Sequence, residues 1–248
     1  MRGLSPLPIR ALLAMGGALA IWQAVVWLTG VPGFILPGPA RVAEALWLNA
    51  ALLWDHARFT CINLLIGVTA GVALGVATAL NLALSPAARL MVRPMLIFAQ
   101  AVPVFALAPI LTLWLGYGAA SKIVIVMLVI YFPVASAFFD GLMRLPAPLA
   151  DMAMLMRASP LRRLVWLQVP NAIPALISGL RLAIVYAPFA AIVGEWVGSS
   201  KGLGYLMLMA NGRGQTDLMF AALFVLAALG LLMFAALEHG VKITALDR

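Results

Sequence analysis

Charge is what this chain has least of. Only 10% of its 248 residues are charged, against 65% hydrophobic; a soluble domain carries about 25% charged residues. A soluble globular protein is therefore excluded. Cysteine is almost absent too: Cys61 stands alone, so there is no disulfide framework and no thiolate metal site. The two histidines, His56 and His239, lie toward opposite ends of the sequence. No His-Glu-x-x-His occurs, and no two carboxylates share an apolar stretch. Intramembrane hydrolysis needs a nucleophile with a base, a carboxylate pair or metal ligands, so an embedded enzyme is disfavoured. No Gly-x-x-x-x-Gly-Lys-Ser/Thr loop is present to cradle a nucleotide phosphate. No metal or cofactor is expected.

What is present is length without charge. No charged residue falls between Arg10 and Arg41, between Arg58 and Arg89, or between Arg93 and Lys122. Each gap exceeds the roughly 20 residues that a helix needs to cross a bilayer. We read six spans: 11–29, 59–82, 94–115, 119–139, 176–194 and 218–238. They are apolar on every side, unlike the alternating strands of a membrane barrel. Arg181 interrupts the fifth and is expected to snorkel to the interface. Arg2 and Arg10 precede the first span as in a signal peptide, but it is long for an h-region and no small-x-small site follows. It is read as a retained helix.

The net charge of +8 invites a nucleic-acid reading, which the positions oppose. With the N-terminus inside, the inner segments hold Arg2, Arg10, Arg89, Arg93, Arg144, Arg157, Arg162, Arg163, Arg181, Lys242 and Arg248. The outer ones hold Arg41, Arg58, Lys122, Lys201 and Arg213. This is the positive-inside pattern of a multi-pass protein with both termini cytoplasmic, and no nucleic-acid partner is expected.

Residues 1–248 read as one domain. The outer connection 30–58 becomes helical from Arg41 to Trp54, either lying on the membrane surface or serving as a plain linker. Gly67, Gly71 and Gly75 form a small-residue stripe for close helix approach, within the chain or between copies. Pro94, Pro103 and Pro109 should break the third span twice at depth. Gln100 and Pro103 there, with Tyr131 beside Pro133 and Tyr186 beside Pro188, are candidates for a translocation pathway. Kinked structural helices explain them equally. Glu195 either faces an outer vestibule or, the favoured reading, fastens the outer loop through Lys201 or Arg213. Asp140 is expected to pair with Arg144, four residues on.

Between the fourth and fifth spans, residues 143–175 form an Arg-rich hinge on the cytoplasmic side. Pro148 suits the first turn of a short helix ending near Arg157. Ser159 and Pro160 suit the cap and first position of a second. Pro170 should end that helix, and Pro174 open the fifth span. Leu149, Met152, Ala153 and Met156 share a face, an adaptable apolar surface suited to a partner or to folding back on the bundle.

The segment resembles the cytoplasmic loop of ABC importer permeases of the binding-protein-dependent type. Their signature is Glu-Ala-Ala, three residues, Gly, then a hydrophobic helix closed by Leu-Pro and a further Pro. Asp151, Met152 and Ala153 stand at the first three positions and Arg157 at the glycine. Val169-Pro170 stands at Leu-Pro, with Pro174 and Gly179 beyond. Because arginine tolerates φ > 0 poorly, the turn is expected to shift to Ala158-Ser159, or Arg157 to meet an acidic group on a partner. "PVFALAPILTLWLGYGAASK" from Pro103 and "GEWVGSSKGLGYLM" from Gly194 resemble the sulfonate, nitrate, taurine and thiamine-precursor branch. "LMANGRGQTDLMFAAL" looks most like permeases for the pyrimidine (hydroxymethylpyrimidine) precursor of thiamine.

The resemblance implies an all-α integral membrane protein of the type I importer kind, with six transmembrane helices and a cytoplasmic helix–turn–helix coupling loop. It implies a homodimer in the bacterial inner membrane. The hinge would dock in a cleft on a separate cytoplasmic ATPase, with Asp151, Met152, Ala153, Met156, Arg157, Pro170, Pro174 and Gly179 as the ATPase-coupling residues, and an external solute-binding protein would deliver the substrate. Sulfonate, taurine or nitrate uptake is the alternative. An ion-coupled secondary transporter is the remaining rival, but it needs inverted repeats and an ion site at midplane, and neither is seen.

Overall fold

The computed structural model describes residues 7–246, with side chains from 13 to 242; Arg2, Arg248 and the Arg10 side chain lie outside the described residues. Among those described, every regular element is helical. In chain order these are α1 (Leu7–Thr29), α2 (Pro39–Leu48), α3 (Ala50–Leu84), α4 (Pro86–Ala101), α5 (Val104–Leu115) and α6 (Ala119–Met143). Then come α7 (Ala147–Leu155), α8 (Pro160–Arg163), a π-helical turn (Leu164–Gln168), α9 (Val169–Trp196), α10 (Leu203–Gly212) and α11 (Thr216–Leu246).

Among the described residues, four helices are long and apolar enough to cross a bilayer: α3, α6, the continuous stretch Pro160–Trp196 and α11. The bent pair α4–α5 makes a fifth if it is one span. The described apolar part of α1, Leu13–Thr29, is shorter; at 1.5 Å per residue it reaches roughly 25 Å, under the ~30 Å hydrocarbon core.

α6 is the central helix, wedged between α3 and α9. Leu64, Val126, Ile130, Val134, Ala183 and Ala187 are buried there. In lipid no hydrophobic effect drives helices together, so close van der Waals approach must. The glycine stripe supplies it within the chain. A Cβ on Gly67 would lie 2.6 Å from Val126, on Gly71 2.7 Å from the Met127 carbonyl, and on Gly75 3.0 Å from Val134. Gly179 does the same on the other flank, where a Cβ would come within 2.8 Å of Ala137 and 3.0 Å of the Pro133 carbonyl.

Three expectations are corrected. The third span is broken once, not twice: Pro94 and Pro109 sit inside helices, and the chain bends by 99° between Ala101 and Val104, at Pro103. The surface helix ends at Leu48, and Trp54 belongs to α3, because Asn49 takes a non-helical φ/ψ and restarts the helix. Asp140 pairs with Arg93 at 3.7 Å rather than with Arg144; α4 lies alongside the end of α6 and brings Arg93 over the Phe139 ring. Arg181 also has a partner the sequence did not disclose: its Nε and a terminal nitrogen both donate to the Glu238 carboxylate of α11, the bidentate geometry that suits guanidinium.

Candidate functional site

The hinge follows α6 directly. Pro148 occupies the first turn of α7, as its missing N–H allows. The helix stops at Leu155 in a Schellman arrangement. The Arg157 amide donates to the Met154 carbonyl and the Ala158 amide to the Ala153 carbonyl, both at 3.0 Å. That motif requires a left-handed residue one position past the cap, and this residue is Arg157, at φ +50°. The turn therefore does not shift to Ala158-Ser159. Arg157 is the only non-glycine residue with positive φ among those described, at a cost of about 1–2 kcal/mol. Ser159 then caps α8, its Oγ accepting from the Arg162 amide at 3.4 Å, and Pro160 opens the helix.

Pro170 does not end this helix. The π turn precedes it, with the Val169 amide reaching back to Leu164. Pro170 then falls in the first turn of α9, which runs through Pro174 without a stop. The hinge thus passes into α9 as one continuous rod. Its base is anchored: Leu164 and Ala172 are buried with Leu82, Phe138, Phe139 and Leu142, and the Asn171 amide donates to the Arg144 carbonyl at 3.1 Å. Its tip is bare. Ala153 is buried, but Met152, Met154, Leu155 and Met156 are exposed, Leu155 by 86%. Leu161 and Trp166 continue the apolar surface. Asp151 is exposed on α7.

Some 40 Å along α9, by helical rise, its other end carries a buried polar knot. The first amides of α10 lack intrahelical acceptors, and three side chains supply them. The Gly202 amide donates to His56 Nδ1 (3.0 Å), the Leu203 amide to Thr60 Oγ1 (2.8 Å) and the Gly204 amide to Glu195 Oε2 (2.7 Å). Thr60 in turn donates to Glu195 Oε1 at 2.7 Å. A carboxylate at a helix N-terminus also meets the favourable end of the helix dipole. Gly202, at φ +113°, has no room for a Cβ, which would lie 2.2 Å from the Glu195 carboxyl carbon.

Lys122 does the complementary work. Its ammonium donates to the carbonyls of Tyr117 and Gly198, each at 3.0 Å, and to Ser121 Oγ at 3.2 Å. Gly198 lies just past the end of α9, where cations are favoured. Both ionisable side chains are 1% exposed.

Glu195 thus fastens the loop, yet not through the basic residues expected: Lys201 pairs with Asp55 at 3.6 Å. Lys122, His56 and Thr60 were not recognised from the sequence. A lysine at the edge of a long apolar run and the Gly202-x-Gly204 spacing were the available signals. Among the pathway candidates, Gln100 reaches Leu96 and Ser136, Tyr131 bonds Thr78 at 3.3 Å, and Tyr186 is half exposed. No hydrogen bond among the described residues joins one candidate to another.

Residues 71–241 match the family model described as the binding-protein-dependent transport system inner membrane component. The chain belongs to this family. It is a transmembrane permease of the binding-protein-dependent ABC type, whose transport role implies an ATPase and a solute-binding partner. It is 46% identical over 230 residues to a probable ABC transporter permease of Haemophilus influenzae, covering 93% of this chain and 94% of that one. It is 36% identical to the riboflavin transport permease RibX of Chloroflexus aurantiacus (87% and 81% covered). It is 32% identical to the formylaminopyrimidine transport permease ThiX of Halalkalibacterium halodurans (89% and 88% covered). A chain of the MetNI methionine ABC transporter, solved in inward-facing conformations, shares the fold. The TM-score is 0.62 at 20% identity, over 81% of this permease and 97% of that chain.

Proposed function

We propose that this permease is one half of a homodimeric, ATP-driven importer with six spans per chain and both termini in the cytoplasm. The hinge docks on a separate cytoplasmic ATPase through Asp151, Met152, Ala153, Met156 and Arg157. Pro170, Pro174 and Gly179 carry its movement into α9. The sixth span is α1, completed by the bent α4–α5 pair. The bare apolar tip carries this reading: the hinge is anchored at its base, runs on into α9, and exposes Met152, Met154, Leu155 and Met156, which nothing among the described residues covers. A glutamate buried in an apolar cleft costs far more than the roughly 1.4 kcal/mol of a tenfold change. The double variant Met152→Glu/Met156→Glu should therefore lower uptake by proteoliposomes containing the ATPase at least about tenfold, with the melting temperature of the permease unchanged. Normal uptake by that variant would refute the docking assignment.

The substrate reading is a pyrimidine precursor of thiamine, supported by the 32% identity to ThiX. The 36% identity to RibX favours riboflavin as a second reading. The pathway would run past Gln100, Pro103, Tyr131 and Tyr186. Glu195 is enclosed by its own chain and would not touch the solute. Calorimetry on the cognate binding protein should show heat with an aminopyrimidine and none with taurine. Tight binding of riboflavin instead would select the second reading, and binding of taurine would return the sulfonate branch.

A further inference from the structure

We propose that Arg157 is a specificity residue for the ATPase, presenting its guanidinium to a carboxylate at the rim of the cleft that receives the apolar hinge tip. This deepens the docking reading above and rests on it. Its starting point is backbone conformation. The Schellman stop of α7 demands a left-handed residue, and glycine or asparagine would take that position with little strain. The chain instead holds an arginine there at φ +50°. Strained positions persist where the surroundings enforce them and gather at clamps and switches.

Within its own chain the side chain returns nothing for that strain. Arg157 is exposed, and no ion pair or side-chain hydrogen bond engages it among the described residues, whereas Arg41, Arg58, Arg93 and Arg181 each have an acidic partner. It directly follows Leu155 and Met156, the most exposed residues of the tip.

The surrounding charge points the same way. Residues 147–168 carry Arg157, Arg162 and Arg163 against Asp151 alone, and all four are exposed. An apolar centre with a basic edge fits a cleft that is apolar at its floor and acidic at its rim. Complementary charge of this kind speeds encounter and rejects wrong partners. Arginine further suits a planar, bidentate carboxylate contact that lysine reproduces poorly.

The test compares wild type, Arg157→Gly and Arg157→Lys in lipid nanodiscs, with the purified cognate ABC ATPase as the probe. Affinity is measured by biolayer interferometry across a salt series, and thermal stability in parallel. Arg157→Gly relieves the backbone, so its melting temperature should hold or rise, while docking weakens about tenfold and loses salt dependence. Arg157→Lys keeps charge and should fall between. Nanodiscs of neutral lipid and of 30% anionic lipid separate the rival role of gripping headgroups. If the effect of Arg157→Gly appears only with anionic lipid, the residue serves the membrane and the proposal fails. Unchanged affinity and salt slope for Arg157→Gly also overturn it. Failure of the wild-type permease to bind the ATPase at all overturns the docking reading instead.

Discussion

Glu195→Ala should destabilise the permease by about 3–5 kcal/mol, the range seen when one partner of a buried charged cluster is removed. The cause is local and countable. The Gly204 amide and the Thr60 hydroxyl both lose a buried acceptor at 2.7 Å, and an unsatisfied buried donor costs about 1–3 kcal/mol. Thr60 is left with only its longer bond to the His56 carbonyl at 3.2 Å, so its hold on the Leu203 amide is weakened as well. The Lys122 ammonium loses the carboxylate with which it interacts electrostatically. Water has little access to repair the site, because both side chains are 1% exposed. The melting temperature in nanodiscs should fall by about 10 °C or more, taking a few degrees per kcal/mol for a chain of this size. Glu195→Gln should fall less: its amide oxygen still accepts from Thr60, but its NH2 group faces the Gly204 N–H. Glu44→Ala, on the exposed face of α2, serves as the control and should leave the midpoint in place. If Glu195→Ala melts with that control, the knot contributes no stability and the fastening role is wrong.

The contrast between what the sequence disclosed and what it withheld follows from range. Apolar runs are additive along the chain, so four long helices and a bent pair could be read without knowing what each one touched. Turn chemistry was equally local: Pro148, Ser159 and Pro160 act on their own neighbours, and all three perform as their residue types dictate. The Arg157 conformation failed as an expectation for a related reason. Residue preference weighed against φ > 0, but two backbone hydrogen bonds of the helix stop outweighed it. Pro170 failed because the π turn just before it changes which amides need acceptors, a shift no residue preference announces. The polar knot was the least legible part. His56, Thr60, Lys122 and Glu195 come from three helices separated by as many as 139 positions, and a single sequence carries no signal of which side chains meet across a bundle.

The glycine stripe is where that missing long-range information turns into the other large effect. Gly71→Leu should separate α3 from α6 and abolish the folded, transport-competent permease. The reason is that a backbone carbonyl and a Cβ fixed to the backbone, not the end of a flexible side chain, lie opposite. A Cβ at position 71 would stand 2.7 Å from the Met127 carbonyl and 2.8 Å from the Ile130 Cβ, and neither can swing aside as a flexible chain end would. Relief requires moving one helix axis from the other, which also strips contact from Leu64, Val126, Ile130 and Val134 in the shared core. Overpacking a tight interior costs about 1–3 kcal/mol when neighbours yield; here they are rigid on one side, so loss at or above the top of that range is expected. Because helix association in lipid depends on van der Waals approach, no gain in apolar area offsets it. Gly71→Ala should be milder but still lower the melting midpoint. Ile66→Ala, on the face of α3 turned away from the bundle and 48% exposed, should fold normally. Size-exclusion recovery and thermal melting of the three variants decide the matter: a well-folded Gly71→Leu would mean that α3 does not pack on α6 at this distance, and the central role of α6 would fall with it.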